Sequence, residues 1–246
     1  MLPYIFRTTV LVALLIEFTI ATIPILRAAH DIYTPATDLS RLASLVPRSS
    51  LPLPAGKLKY VVLGIGTQNY TCDSGNESDV PGTTGAKATL YDIGSKLNID
   101  DEARWKVATI AGMALSLVTQ QTIFEAYLKK QGYNHILGRH FFSILDNAAT
   151  PVFALDRLTQ SPFPEAQVSK INSTDAPESA YPGLACEGAV PWLYLADRKE
   201  LSTGGVDTVY RLETAGGKAP ATCKGRNRSF EVQYAAQYWI YGPEQV

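Results

Sequence analysis

The residues that first suggest chemistry are Gly64 and Gly66, which follow the apolar run LKYVVL in the stretch GIGTQNYTC. A strand that leads into Gly-x-Gly is how a dinucleotide-binding site begins, and a third glycine three residues later lets a helix pack closely at the pyrophosphate. Asn69 stands at that third position, and the polar loop DSGNESDVPGTTG follows instead of a helix. The pattern therefore does not indicate a nicotinamide-dependent dehydrogenase.

Charged candidates for catalysis are sparse in the rest of the chain. Arg139 and His140 lie in the strand-like run LGRHFF. Because neighbouring strand residues point to opposite faces, only one of the two can face a given cavity. The sequence contains no HExxH, no Cys/His metal spacing, no GxSxG and no P-loop. We therefore predict neither a metal site nor a cofactor, and no hydrolase triad can be assembled.

The first 29 residues and four sequons indicate the secretory pathway. Residues 1–29 have one early cation, Arg7, then an apolar stretch and small residues, which is the layout of a cleaved secretory signal peptide; an uncleaved signal anchor is the alternative. We expect a secreted or vacuolar glycoprotein. The predicted N-glycosylation sites are Asn69, Asn76, Asn172 and Asn227.

The three cysteines fit one disulfide and one spare thiol in such a compartment. Cys72 and Cys223 lie in polar, turn-rich surroundings, and we expect them to pair. Cys186, in the run GLACEGAVPWL, is typical of a small residue packed at the start of a strand.

The sequon at Asn69 also predicts which side chains point inward. A glycan on Asn69 must face solvent, so the strand period of two puts Gln68 and Tyr70, with the two glycines, on the opposite face. Glycine inside a strand often marks the close approach of a ligand or of another backbone. One interpretation is that the two glycines leave space for a ligand on the inner face of the strand, and that Gln68 and Tyr70 border this space. The other is a bulge or barrel corner without a ligand.

The elements that must position these residues are mostly strands. From Leu58 onward, short β-like runs alternate with clusters of Gly, Pro, Asn and Ser, which predicts a mainly β fold, an antiparallel β-sandwich or barrel. We expect a single β-rich domain over residues 57–246, preceded by a proline-rich leader or linker at 30–56. The net charge of -1 gives no reason to expect nucleic acid or an anionic membrane as a stable partner. The sequence leaves open whether the protein forms a homodimer.

One segment, residues 100–131, has a helical rather than a β pattern. It begins with the carboxylates of DDE, which are favourable in a first helical turn, and it stops at Gly132. Between Ala108 and Val118 it is apolar nearly all round, which is typical of a helix buried on several sides. The helical insertion is therefore either a core helix that plugs the sheet or a lid over an apolar cavity.

Six motifs of the chain together resemble one protein family. In order, they are YVVLGIGTQNYTC, GAKATLYDI, LGRHFF, VPWLYL, VYRLETAGGKAPATC and VQYAAQYWIYG. They are similar to a family of secreted fungal proteins that carry a domain of unknown function and are often labelled malate dehydrogenase, a label that the glycine pattern does not support. The resemblance covers about residues 50–242. A branch of these proteins looks like the glycosylated hetero-Diels–Alderases of tropolone–sesquiterpenoid pathways.

The resemblance implies an intermolecular [4+2] cycloaddition that joins a tropolone quinone methide to a humulene-type terpene. Such a reaction needs an apolar pocket that holds two reactants in register and hydrogen-bond donors at the oxygen where charge builds. The implied donors are Gln68, Tyr70 and either Arg139 or His140. The alternative is a non-catalytic secreted glycoprotein that binds a small molecule or a cell-wall glycan. The candidate substrate-binding residues are Gly64, Gly66, Trp105, Met113, Phe142, Trp192, Tyr234, Gln237 and Trp239.

Overall fold

A computed structural model describes residues 33–145, 147–197 and 199–244 of the 246-residue chain. The signal peptide predicted at residues 1–29 lies outside the described residues. The described residues form one antiparallel sheet in the order β5-β4-β3-β2-β1-β9-β8-β7-β6. Its strands are β1 (Lys57–Thr71), β2 (Gly82–Asp92), β3 (Ile136–Leu145), β4 (Ala148–Ala154), β5 (Glu165–Gln167), β6 (Ser169–Thr174), β7 (Trp192–Ala196), β8 (Thr208–Gly216) and β9 (Ser229–Gly242).

The sheet is nearly closed into a barrel. The chain from residue 165 to residue 174 pairs with β4 at its start and with β7 at its end, so it joins the two edges of the sheet. Full closure removes the exposed edges that an open sheet would leave. The prediction of a mainly β, antiparallel fold is confirmed.

Strand β9 shows how the two faces of the barrel wall differ. Tyr234, Ala236 and Tyr238 belong to the inner apolar cluster, whereas Ala235 and Trp239 belong to the outer one. This alternation agrees with the strand period of two. Both faces are apolar because each is covered: the inner face by the opposite barrel wall and the outer face by helices.

The helical segment forms a layer on the outside of the barrel. The segment contains several short helices instead of one continuous helix, and α4 (Ile110–Leu117) packs on β1, β8 and β9. The segment is therefore outer core rather than a plug inside the sheet or a lid over the barrel interior. The helices of the described chain are α1 (Ser40–Ala43), α2 (Gly94–Leu97), α3 (Ala103–Lys106), α4 (Ile110–Leu117) and α5 (Gln121–Gln131).

The end of α5 follows the sequence signal. Gly132 has a left-handed backbone, with φ of 74°, and its N–H donates to the carbonyl groups of Leu128 and Lys129. Glycine tolerates this conformation without a Cβ clash, which is why it ends helices so often. Among the described helices, none has both the length and the hydropathy that a membrane-spanning segment requires.

The disulfide expected from the cysteine contexts is confirmed. Cys72 and Cys223 are bonded, and their Cα atoms lie 5.8 Å apart. The bond links the end of β1 to the loop before β9 and indicates an oxidising, secretory-type environment. Cys186 is free, but it is exposed in a turn with φ of 57° rather than packed at the start of a strand. That part of the prediction is wrong, because the following strand begins only at Trp192.

Candidate functional site

A cavity of about 620 Å³ opens at the end of the barrel that is formed by the β3–β4 hairpin. This volume lies within the usual range of small-molecule sites, about 300–1,000 Å³. Exposed polar residues, among them Thr84 and Ser169, form the rim. The lining mixes polar and apolar side chains, and its apolar part includes Phe142, Leu145, Ala149, Pro151, Pro191, Leu193, Leu195 and Leu201.

Gln68 and Arg211 are two of the hydrogen-bond donors that line this cavity, and neither side chain is fully exposed. The Gln68 side chain is 6% exposed, and its Nε2 has no hydrogen-bond partner within 3.5 Å in the described chain. The amide is near enough to the Tyr234 phenol to oppose slightly the rise that burial causes in the pKa of that phenol, but it forms no close hydrogen bond with it. Buried polar groups are nearly always paired, so this amide requires an explanation. Arg211 is partly buried on β8, and its Nε and Nη2 donate to the Pro191 carbonyl oxygen at 3.1 and 2.9 Å. This carbonyl holds the guanidinium in place at the cavity wall.

His140 lies behind these two residues, beside a smaller space of about 30 Å³ that Gln68 and Arg211 also line. Such a space is large enough for a water molecule. His140 Nδ1 lies 2.8 Å from the Val152 carbonyl oxygen, and the ring stacks on Phe153 with a centroid distance of 4.1 Å. Burial, followed by the charge of Arg211, lowers the pKa of His140 to about 4, against the hydrogen bond to Val152.

The electrostatics of His140 determine its chemical role. A neutral ring carries one proton, and the Val152 carbonyl can only accept, so Nδ1 holds the proton and Nε2 is an acceptor. The expectation that His140 donates a hydrogen bond to a substrate oxygen is therefore corrected. His140 can accept a proton or a hydrogen bond at the floor of the site.

Two tyrosines from β9 lie beneath the cavity. Tyr234 Oη and Tyr238 Oη lie 2.8 Å apart, and burial raises the pKa of both phenols. The Tyr238 ring lines the small space beside His140, whereas Tyr234 is fully buried behind it. Both phenols therefore stay protonated.

Of the four predicted catalytic residues, only Gln68 lines the cavity, and His140 lines the smaller space behind it. Arg139 lies outside the barrel, exposed, with its Nε 3.0 Å from Asp156 Oδ2, because it alternates with the inward His140. This position removes Arg139 from the candidate set. Tyr70 is buried on the inner side, but its hydroxyl donates to the Gly217 carbonyl at 2.7 Å. That donor is already used within the protein.

The two strand glycines do not leave room for a ligand. A Cβ at Gly64 would lie 2.5 Å from a ring carbon of Tyr238, and one at Gly66 would lie 1.8 Å from the Lys87 carbonyl oxygen. The space that glycine provides is thus filled by the Tyr238 ring and by the backbone of β2. The interpretation of close approach by protein, rather than by a ligand, fits these contacts.

The remaining predicted substrate-binding residues divide between the cavity and the outer layer. Phe142 lines the cavity, and Tyr234 lies beneath it. Trp105 is 76% exposed on α3 and Met113 is 49% exposed on α4, both outside the barrel. Trp192, Gln237 and Trp239 are buried in the outer layer. These five lie outside the cavity because sequence alternation shows that two faces exist but not which one is inside.

Gln237 has a structural partner that accounts for its burial. Its Nε2 donates to the Val107 carbonyl oxygen between α3 and α4, and Trp239 Nε1 donates to Gln237 Oε1 at 3.2 Å. These bonds connect β9 to the helical layer. The pair therefore stabilises the contact between barrel and helices.

The predicted sequons lie at the surface, and their occupancy stays a prediction. Asn76, Asn172 and Asn227 are exposed. Asn69 is partly exposed on β1, next to the inward Gln68, so the assignment of faces from this sequon is confirmed.

Arg211, Leu193 and Leu195 line the cavity but are not among the residues predicted from the sequence, although their spacing is informative. In VYRLET, Arg211 alternates with the apolar Val209 on one face of a strand. In WLYLA, the two leucines share a face. An arginine flanked by apolar strand residues is unusual on a buried face and could have been selected. Within the described ranges, no three His, Cys, Asp or Glu side chains come together as a metal site would require.

Comparison with known proteins identifies a matching family whose activity is not assigned. Residues 53–242 match the profile of a family described as "Protein of unknown function (DUF3455)". This range contains every strand and the whole cavity lining. No curated protein and no solved structure matches the chain.

Proposed function

The chain belongs to the DUF3455 family, and we propose that it is a hetero-Diels–Alderase that joins a tropolone quinone methide to a humulene-type terpene in the barrel cavity. The observation that carries the proposal is the unpartnered Gln68 Nε2 on the wall of a cavity of about 620 Å³ that also has an apolar wall. The choice of reactants rests on the sequence resemblance to tropolone–sesquiterpenoid cyclases.

The cavity suits a reaction that depends on positioning. Holding two reactants in register can offset up to about 7–11 kcal/mol of a barrier. The apolar wall of Phe142, Leu193 and Leu195 would contact the terpene and the ring of the heterodiene. The heterodiene oxygen would lie at Gln68 and Arg211, which have N–H groups without a hydrogen-bond acceptor among the described residues.

Electrostatic stabilisation would add to positioning. As the heterodiene accepts electron density from the alkene, negative charge grows on its oxygen, and a fixed donor there is worth about 3–4 kcal/mol at most. Gln68 is suitable because its amide is buried and already oriented on a strand. The Nε2 acceptor of His140 lies deeper and would hold a water or a substrate hydroxyl.

The direct test is to incubate the purified glycoprotein with a hydroxymethyl tropolone and a humulene alcohol. Adduct yield and isomer ratio are compared with the enzyme-free reaction. We expect faster formation of one isomer, and Gln68→Ala should slow it by about 10²- to 10³-fold at most. Gln233→Ala is the matched control, because Gln233 is exposed on β9 opposite Thr67. It should leave the rate unchanged.

The alternative is a non-catalytic glycoprotein that binds a small molecule in the same cavity. Identical rates and isomer ratios with and without protein would contradict the cyclase and leave this alternative. Binding of cell-wall glycans would instead require aromatic side chains along a shallow groove. In the described chain the strongly exposed Trp105 stands on α3 rather than in the cavity, so we favour a cavity ligand.

A further inference from the structure

The described wall of the cavity carries more positive than negative charge. Its cationic side chains are Lys170, Lys199 and Arg211, and Asp197 is the one carboxylate among the described lining residues. The Asp197 carboxylate accepts the backbone N–H groups of Lys199 and Ser202 at 2.9 and 2.7 Å. No ion pair joins it to Arg211 in the described chain. The charge of Arg211 is therefore not balanced by Asp197.

Arg211 retains N–H groups for which the described residues provide no acceptor. A guanidinium carries five N–H groups, and only those toward the Pro191 carbonyl are used among the described residues. The remaining groups, on Nη1 and Nη2, belong to a side chain that lines both the large cavity and the small space behind it. Gln68, whose Nε2 is also unpartnered, lines the same two spaces.

We propose that the cavity binds a small ring compound that carries an oxyanion, either a carboxylate or an ionised acidic enol. Arg211 and Gln68 donate to the oxyanion, and the ring packs against Phe142, Leu193 and Leu195. An unbalanced cation in a partly buried site is costly, and an anionic ligand removes that cost. Arginine also binds planar oxyanions with two parallel hydrogen bonds, which gives geometric selectivity.

The proposal concerns binding and holds whether or not a cycloaddition follows. It assigns a negative charge to the ligand, which the cyclase proposal does not require. Failure of the reaction assay would leave anion binding untouched. Conversely, if the cavity does not bind anions, the present proposal is wrong, and the cyclase proposal survives with a neutral heterodiene as the ligand.

Isothermal titration calorimetry at neutral pH with benzoate and benzamide tests the proposal. The two probes have nearly the same shape and differ in charge. We expect benzoate to bind at least about tenfold more tightly than benzamide. Arg211→Met should remove this preference, and Gln68→Met should reduce it. The control is Arg104→Met, because Arg104 is an exposed arginine on α3, outside the barrel; it should leave both affinities unchanged.

Several outcomes would overturn the proposal. Equal affinity for the two probes, or binding of neither, contradicts it with the wild-type protein alone, so it does not depend on any variant folding. A benzoate preference that survives Arg211→Met also contradicts it. A preference that instead disappears with Lys57→Met and Lys59→Met would place the anion in the separate cavity of about 440 Å³ at the other end of β1. Thermal unfolding of each variant verifies that it is folded.

Discussion

At the scale of single residues, His140 and Glu213 have pKa values displaced in opposite directions by the same cause. Burial disfavours the charged form of each group, so it lowers the pKa of His140 to about 4 and raises the pKa of Glu213 to about 7. Glu213 lies in the bulge of β8, where the pairing with β9 slips between Leu212 and Ala215, and its φ is 47°. It makes no hydrogen bond or ion pair within the described ranges.

The buried His140 should make the protein less stable in acid. The unfolded chain binds a proton near pH 6.5, whereas folded His140 stays neutral to about pH 4, so stability falls as the pH drops through this window. The loss should reach up to about 3 kcal/mol. His140→Gln keeps a donor for Val152 and does not titrate. Denaturant unfolding from pH 7 to pH 4 should show a shallower decline for the variant; equal slopes would contradict the prediction.

Glu213 should have the opposite pH dependence. Its folded pKa is raised above the ordinary value of 4.5, so its contribution is fully present below pH 4.5 and is lost as the pH rises through about 7. Glu213→Gln should therefore stabilise the protein at pH 8 and have little effect at pH 4.5. Thermal unfolding at both pH values measures this difference. A benefit that is equal at both pH values would indicate a packing effect instead.

At the scale of elements, the strands and their faces were predictable, but the position of the helices was not. The Asn69 sequon gave the correct faces of β1. The period-two alternation in β9 separates two faces but does not show which of them is inside. The helical segment was recognised from its apolar composition and its Gly132 stop. Both sides of the barrel wall are apolar, however, so nothing in the pattern showed whether the helices lie inside or outside. The same ambiguity explains why the sequence predicts Gln237 and Trp239 as site residues although they lie in the outer layer.

Gly66 tests the close approach of β1 and β2. A Cβ at Gly66 would lie 1.8 Å from a backbone oxygen of Lys87, and backbone cannot move aside as a flexible side chain can. Gly66→Ala should destabilise the fold by about 3 kcal/mol. The matched control is Gly82→Ala in β2, where the nearest atom to a new Cβ is a Thr71 methyl group at 3.4 Å. Urea unfolding compares the two; a similar small effect for both would contradict the prediction.

At the scale of the whole molecule, the candidate site is assembled from distant parts of the chain. Gln68 comes from β1, His140 from β3, Arg211 from β8 and Tyr238 from β9. Spacing along the sequence therefore carries no signature of the site, unlike a metal motif on one helix. Only closure of the sheet brings Arg211 opposite Phe142 and Pro151. The sequence indicates which types of residue line the cavity. It does not indicate which individual residues do so, because that depends on which strands become neighbours.

The disulfide between Cys72 and Cys223 stabilises the barrel in which these distant parts of the chain meet. It joins residues 151 positions apart and closes a loop that contains strands β2 to β8. In the chain-entropy model, such a long loop restricts the unfolded state and contributes about 4–5 kcal/mol to the free energy of unfolding. The paired replacement Cys72→Ser with Cys223→Ser should lower this free energy by that amount. Cys186→Ser, which changes the exposed free thiol, should leave it unchanged.

Denaturant unfolding of the non-reduced protein measures both effects. Because the bond lies at the end of β1 and away from the cavity lining, the double variant should still bind its ligand at temperatures where it remains folded. We therefore expect the double variant to have a lower unfolding midpoint and an unchanged affinity for benzoate. A loss of affinity in a variant that is still folded would show instead that the bond also fixes Gln68, four residues before Cys72 on the same strand and loop. A stability loss below about 1 kcal/mol would contradict the chain-entropy argument.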